Sequence, residues 1–320
     1  MSVEGAERFV GREYDLDSFV ERLLFSDGGS FLITGYRGVG KTSFINQVIA
    51  RLKEARDWAE AIEPHTDIQV VDVQLNLARA LQPAELMHHI VRRLYETLVE
   101  LDALPQLPSK LQAELQLAHD RTSFNMTRKL ASSLERNLGF PDLGVEAGWG
   151  KLTLKGLVSN KRTTSRNDEL AFLGYDDRAA EHDVIRLSQL LVRGVPRTSD
   201  SGQTWLRRLL GRDRPEQRLR FKLIFVFDEL DKLDESPALS TTRNAPVRPD
   251  ASNGADEGPT PEAVRSAIED LLSSLKTLFT TSGISFIFVA GKDLQERCQD
   301  DVGRGDSVFD SVFSYHKYMP

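Results

Sequence analysis

From Phe31 to Ser43 the chain reads Phe-Leu-Ile-Thr-Gly-Tyr-Arg-Gly-Val-Gly-Lys-Thr-Ser. The first four residues predict a short apolar strand, and the residues from Lys41 onward predict the start of a helix. The turn between them has the spacing Gly-x-x-x-x-Gly-Lys-Thr, in which backbone N–H groups and a helix N-terminus surround a phosphate. The stretch therefore predicts a phosphate-binding loop. The alternative is a glycine-rich turn that binds nothing.

The residues of this loop have different predicted roles. Lys41 is expected to reach the β- and γ-phosphates of a nucleotide, and the Thr42 hydroxyl is expected to bind Mg²⁺. The unpaired N–H groups at the start of the helix add positive charge. The residues predicted to contact the phosphates are Gly35, Tyr36, Arg37, Gly38, Val39, Gly40, Lys41, Thr42 and Ser43.

The composition is typical of a globular protein. The chain has 320 residues, of which 40% are hydrophobic and 28% charged, and its formal net charge is −7. Its single cysteine, Cys298, excludes an internal disulfide framework and fits a reducing compartment. Neither a signal peptide nor a run of ~18 apolar residues is present in the sequence. We therefore expect a cytoplasmic protein with no membrane partner.

Hydrophobic patterning predicts an alternation of strands and helices. Strands are predicted near residues 30–34, 68–75, 222–227, 283–290 and 314–319, and helices over 13–24, 41–52, 84–100, 109–138, 181–191 and 260–281. A β-hairpin is predicted at 145–157. Residues 236–258, rich in Pro, Ser, Asn, Asp and Gly, are expected to form a mobile loop.

The apolar strand at 222–227 ends in two carboxylates, Asp228 and Glu229. Ligands of open α/β sheets collect at the carboxyl ends of the strands. We therefore expect Asp228 to share a Mg²⁺ ion with Thr42, and Glu229 to polarise an attacking water. The alternative is a pair of acidic residues that only end the strand and cap the next turn.

Three stretches together resemble AAA+/STAND-type P-loop ATPases. They are Phe-Val-Gly-Arg at 9–12, the loop at 35–42, and Phe-Val-Phe-Asp-Glu-Leu-Asp-Lys at 225–232. The likeness is greatest to the branch that contains the origin-recognition initiators and the bacterial signalling and defence ATPases. It implies an α/β fold, the three-layer αβα sandwich of P-loop NTPases, with a parallel sheet of order 5-1-4-3-2. Residues 1–103 and 221–320 would be the halves of this core, and 104–220 an irregular α+β insertion.

The resemblance implies further site residues. Val10, Gly11 and Arg12 would lie beside the adenine of ATP, and Lys292 is the candidate for a polar sensor after the fourth strand. Arg304 would be an arginine finger that reaches a neighbouring subunit, which requires a homo-oligomer; a solvated loop arginine is the alternative. A complete C-terminal lid is not expected before Pro320, so the chain is a fragment or its turnover is weak.

Three functions remain open at this point. The first is an ATPase whose nucleotide state switches its contacts with partner chains or attached effector domains. The second is a DNA-loading ATPase, because residues 121–220 hold 19 Lys and Arg against 12 Asp and Glu. The third is a scaffold stabilised by nucleotide without turnover. Nucleic acid would be bound by Arg207, Arg208, Arg212, Arg214, Arg218 and Arg220, for which a solvated face is the alternative.

Overall fold

The computed structural model describes residues 12–54, 66–77, 83–122, 177–196, 218–235, 266–301 and 307–320. Within these ranges, none of the helices combines the length and the apolar character that crossing a membrane requires. The predicted hairpin at 145–157 and the predicted mobile loop at 236–258 lie outside the described residues.

The strands of the described ranges form one sheet. They are β1 Gly29–Gly35, β2 Thr66–Asn76, β3 Val195–Pro196, β4 Arg218–Asp228, β5 Ile284–Ala290 and β6 Tyr315–Met319. Five of them follow the order β2-β4-β5-β1-β6, and every neighbouring pair on this path is parallel. Counted among these five alone, the order is the 5-1-4-3-2 that the resemblance implies. The short β3 is the difference: it was not predicted, and it pairs antiparallel with the start of β4.

Helices cover both faces of the sheet. They are α1 Glu13–Phe25, α2 Lys41–Glu54, α3 Pro83–Glu100, α4 (the helical residues 109–122), α5 Asp177–Arg193, α6 Lys232–Glu235, α7 Ala267–Ser274, α8 Lys276–Phe279, α9 Lys292–Asp301 and α10 Val308–Val312. One core lies between the sheet and the pair α1 and α2. A larger core on the opposite face includes leucines of α3, α4, α5 and α7. The result is the three-layer αβα architecture that was predicted.

The central strands are buried on both faces, as their continuous apolar runs predict. All seven residues of β5 are buried. Facing aromatic rings join β5 to β4: the centroids of Phe225 and Phe286 are 5.5 Å apart, and those of Phe227 and Phe288 are 4.9 Å apart. Because such pairs add about 0.5–1.5 kcal/mol each beyond the burial of their area, they help to fix the register of the two strands.

The single helix predicted over 260–281 is wrong in its described part. Ser266 has an extended conformation, and its hydroxyl accepts a hydrogen bond from the Glu269 N–H, so a helix begins at Ala267. This is the N-cap arrangement, which excludes a helix that runs through residue 266. A second interruption at Leu275 separates α7 from α8.

The tight approach of β6 to β1 at Gly35 gives a first prediction. A Cβ atom on Gly35 would lie 2.2 Å from the Met319 carbonyl oxygen, which belongs to the backbone and cannot rotate away. Gly35→Ala should therefore lower the free energy of unfolding in urea by about 2 kcal/mol or more. The matched control is Gly38→Ala, where φ is +83° but nothing lies within 4 Å, and the loss should be about 1 kcal/mol. Equal losses in the two variants would contradict the steric argument.

A partly buried lysine on β4 gives a second prediction. Lys222 Nζ donates to the Ser26 carbonyl over 2.8 Å, and burial, assisted by Arg220, lowers the pKa of Lys222 to about 8 while Asp27 opposes the shift. An unfolded lysine has a pKa of about 10.4, so between about pH 8 and pH 10.4 the unfolded state binds more protons than the folded state. The contribution of Lys222 to stability is therefore least favourable below about pH 8 and rises with pH across this window.

Lys222→Met should remove this rise. We expect the difference in free energy of unfolding between wild type and Lys222→Met to move in favour of wild type from about pH 7.5 to about pH 10.5. Lys110→Met, at an exposed position, is the control and should show no such trend. A difference that stays constant with pH for Lys222→Met would show that folding does not lower the pKa of this amine.

Candidate functional site

The turn between β1 and α2 offers backbone donors to an anion. Gly38 and Gly40 have φ of +83° and +87°, a region that other residues rarely adopt, and they let the chain curl between the strand and the helix. The Phe44 N–H donates to the Gly40 carbonyl over 2.8 Å, which closes the first turn of α2. The N–H groups of residues 41–43 therefore have no acceptor within the helix and are available to a ligand.

Lys41 is folded back over this turn. Its Nζ donates to the carbonyls of Gly35 and Tyr36, both over 2.9 Å. Burial lowers the pKa of Lys41, and the negative charges of Asp231 and then Asp228 oppose that shift. The amine is thus held at the mouth of the loop, close to the place where a phosphate would lie.

Asp228 and Thr42, which are 186 residues apart in sequence, are in direct contact. The Thr42 hydroxyl donates to Asp228 Oδ2 over 2.9 Å, and the Glu229 N–H donates to Asp228 Oδ1, also over 2.9 Å. The contact reaches across β5, which lies between β4 and β1 in the sheet. A carboxylate and a hydroxyl beside a phosphate loop are oxygen ligands of the kind that Mg²⁺ prefers together with substrate phosphates. The residues present therefore fit the ion.

Glu229 follows in a conformation that is rare for its type. Its φ is +61°, and the next residue, Leu230, donates its N–H to the Val289 carbonyl of β5 over 3.0 Å. Such conformations persist where the surroundings fix them, and they cluster at functional sites. The Glu229 side chain is partly exposed, and no hydrogen bond joins its carboxylate to another residue of the described ranges. The carboxylate is thus available to a water molecule.

Asp231 is a charged residue of this edge to which the sequence analysis gave no role. Its Oδ2 lies 3.0 Å from the position that a Cβ atom on Gly291 would take, directly after β5. The available signal was its place in the run Asp-Glu-Leu-Asp, three residues after Asp228. That spacing alone does not reveal that the side chain turns toward the end of β5.

Lys292 lies beside the phosphate loop and pairs within its own helix. Its Nζ is 2.7 Å from Glu296 Oε1 and 5.2 Å from the centre of the Tyr36 ring. Hydrogen bonds with Glu296 and Tyr36 raise the pKa of Lys292. The Tyr36 ring is 6.5 Å from that of Tyr318, so the start of α9, the phosphate loop and β6 meet here. A further contact joins β1 to α9, because the Thr34 hydroxyl donates to Gln295 Oε1 over 2.7 Å.

Some of the predicted site residues lie away from the phosphate loop, and others lie outside the described ranges. Those outside the described ranges are Val10, Gly11, Arg304, Arg207, Arg208, Arg212 and Arg214. Arg12 is described, and its Nη2 donates to the Pro320 carbonyl over 3.0 Å, next to the end of β6. Arg218 and Arg220 lie at the start of β4, about 30 Å from Asp228 along the strand. Arg220 Nε donates to the Val192 carbonyl over 2.7 Å, so this arginine supports the fold.

Two solved structures have some similarity to the chain. The ORC1 protein of Aeropyrum pernix, solved in complex with DNA, is 13% identical to this chain, with a TM-score of 0.38. The match covers 97% of this chain and 45% of the ORC1 chain. The ORC2 protein of Aeropyrum pernix, solved with ADPNP and ADP, is 13% identical to this chain, with a TM-score of 0.37. The match covers 100% of this chain and 50% of the ORC2 chain. The chain thus spans about half the length of both proteins. Similarity at this level carries no argument about function. No curated protein matches the sequence.

A match to a protein family covers most of the chain. Residues 8–244 match the family described as AAA ATPase domain. This range includes the phosphate loop, the strand that ends at Asp228, and Glu229. The match extends over more than half of the sequence and coincides with the geometry of the strand ends. The chain therefore belongs to the AAA ATPase domain family.

Proposed function

We propose that the chain binds ATP with Mg²⁺ at the carboxyl ends of β1, β4 and β5, hydrolyses it, and acts as a nucleotide-dependent switch for partner chains or attached domains. The observation that carries the proposal is the 2.9 Å contact between Thr42 Oγ1 and Asp228 Oδ2 beside the phosphate loop. This contact joins the two side chains that are proposed to hold the ion, and it supports the proposal. Family membership supports the nucleotide and the reaction class.

The phosphate loop and Lys41 would bind the triphosphate. The N–H groups at the start of α2 donate to phosphate oxygens, and Lys41 exchanges its bonds to the Gly35 and Tyr36 carbonyls for bonds to the β- and γ-phosphates. Thr42 and Asp228 would hold Mg²⁺, which neutralises charge on the phosphate oxygens. Arg12, near the end of β6, lies in the segment where the adenine is expected.

Glu229 would activate the water. Its carboxylate accepts a hydrogen bond from a water molecule in line with the γ-phosphorus and takes a proton as the oxygen attacks. A bond forms between the water oxygen and the γ-phosphorus, and the bond from that phosphorus to the β–γ bridging oxygen breaks. The products are ADP and inorganic phosphate. The backbone of Glu229 has a φ of +61°, and its N–H donates to Asp228 Oδ1.

The switch would act through Tyr36. In the described structure the Tyr36 carbonyl accepts from Lys41, and its ring contacts Lys292 of α9 and Tyr318 of β6. When Lys41 moves to the triphosphate, the Tyr36 carbonyl loses its hydrogen-bond donor. The phosphate loop that α9 and β6 contact then changes its conformation. A ligand shifts the equilibrium between two conformations of a protein only if it binds one of them more tightly than the other. The exchange of hydrogen bonds by Lys41 would give ATP such a difference in affinity. Under the same proposal, α9, β6 or Arg304 would make the contacts with partner chains that depend on the bound nucleotide.

Removing the amine tests nucleotide binding. At an ATP concentration of about 100 times Kd, with Mg²⁺ present, wild type should gain about 2.7 kcal/mol of stability, seen as a higher Tm. Lys41→Ala should lose this gain, because its loop lacks the charge that faces the β- and γ-phosphates. Lys53→Ala, at an exposed position on the same helix, should keep it. A full gain in Lys41→Ala would contradict the placement of the nucleotide.

Neutralising the proposed base separates hydrolysis from binding. Glu229→Gln should keep the ATP-induced rise in Tm and release phosphate about 10²–10⁴ times more slowly than wild type. Glu21→Gln, an exposed change on α1, should release phosphate at the wild-type rate. An equal rate in Glu229→Gln and wild type would remove Glu229 from its role. A wild type that gains stability from ATP without any phosphate release would favour the scaffold instead.

A further inference from the structure

A buried hydrogen bond joins α9 to the residue from which the phosphate loop starts. Thr34 directly precedes Gly35, the first glycine of the loop, and Thr34 has no exposed surface. Its hydroxyl donates to Gln295 Oε1 of α9 over 2.7 Å. A buried hydroxyl that loses its partner is destabilising, so the end of β1 favours the position of α9 in which this bond is made. Gln295 therefore attaches α9 to the base of the loop.

The same side of α9 contacts the loop a second time. Lys292 and Gln295 are three residues apart on the helix, so their side chains are neighbours on its surface. Lys292 Nζ is 5.2 Å from the centre of the Tyr36 ring, which is more than half exposed. Thr34 and Tyr36 are the two chain neighbours of Gly35. Thus α9 contacts the chain on both sides of the first glycine, through one buried bond and one exposed contact.

The rest of α9 lies between the core and the solvent. Leu294 and Cys298, four residues apart, are buried in the larger core. The residues of the helix that are exposed instead include Asp293, Gln299 and Asp300. A change in the position of this helix would therefore be presented directly at the protein surface.

We propose that Gln295 is a positioning residue that couples the phosphate loop to α9, and that α9 is the element by which bound nucleotide changes the surface. This inference rests on the proposed ATPase switch. When Lys41 leaves the Gly35 and Tyr36 carbonyls for a triphosphate, the loop changes after Gly35, while Gln295 keeps α9 attached before it. The change at Tyr36 then acts on a helix that is held to the same loop. Once the bond from Thr34 is removed, the loop can change while α9 stays as it was.

Hydrogen–deuterium exchange with and without ATP and Mg²⁺ tests this coupling. In wild type, ATP should slow amide exchange in the loop, and should slow it in α9 by about fivefold or more, the low end for two coupled sites. Thr34→Val keeps the branched shape and removes the hydroxyl, whereas Gln295→Met keeps the length and removes the acceptor. In both variants the loop should still respond to ATP, and α9 should lose its response.

Conservative variants separate coupling from a general effect on stability. Thr34→Ser keeps a hydroxyl and Gln295→Glu keeps an acceptor, so α9 should respond to ATP in both. Gln299→Met, an exposed change on the same helix, is the matched control and should respond as wild type does.

Two results would overturn the inference while leaving the proposed function in place. In the first, Thr34→Val and Gln295→Met speed exchange in α9 equally with and without ATP, so that its response to ATP persists; that is the result of a merely structural role. In the second, ATP slows exchange in the loop of wild type but not in α9. Absence of any effect of ATP on the loop of wild type would remove the proposed function and this inference together.

Discussion

The contact between Thr42 and Asp228 is the interaction on which the site depends. It joins the first turn of α2 to the end of β4 across the intervening strand β5. A parallel sheet makes such a contact possible, because the carboxyl ends of all its strands lie at one edge. Asp228 is also held from two other directions, since the Glu229 N–H donates to its side chain and the Leu77 N–H donates to its backbone carbonyl over 2.9 Å. The carboxylate therefore has its orientation before any ligand binds.

The packing of the sheet maintains this geometry. β4 and β5 are covered on both faces, and the paired rings of Phe225 with Phe286 and of Phe227 with Phe288 resist sliding of one strand along the other. Thr42 and Asp228 at the edge can then keep their 2.9 Å contact. By contrast, Tyr36 and Tyr318 beside the loop are exposed by 54% and 38%. The rigid part of the site thus holds the metal ligands, and the exposed part is the one proposed to respond to nucleotide.

Much of the fold could be predicted from the sequence because burial leaves a direct signal. The continuous apolar runs gave β1, β4 and β5, and the glycine spacing with Lys41 and Thr42 gave the turn and the start of α2. The meeting of residue 42 with residue 228 followed from strand topology. The two-residue β3 could not be predicted, because pairing over so short a length depends on neighbours and not on its own pattern. The start of α7 was misplaced because Ser266 is one of several residues in that stretch able to cap a helix.

Side-chain placement at the site was less predictable than the fold. The sequence offered Lys292 as a sensor, but its pairing with Glu296 and Tyr36 depends on the direction in which α9 leaves β5. Asp231 was overlooked because its contact with Gly291 depends on the positive φ of Glu229, which no sequence pattern specifies. The division of the chain at residues 103 and 220 stays a prediction.

The most direct test of the account is a double-mutant cycle on Thr42 and Asp228, read in the magnesium-dependent part of ATP affinity. Calorimetry with and without Mg²⁺ would compare wild type, Thr42→Val, Asp228→Asn and the double variant. If the two residues hold one ion, each single change should abolish most of the gain from Mg²⁺, and the double variant should be no worse than either. Additive losses, or a gain from Mg²⁺ that survives in both single variants, would show that the two side chains do not share a metal.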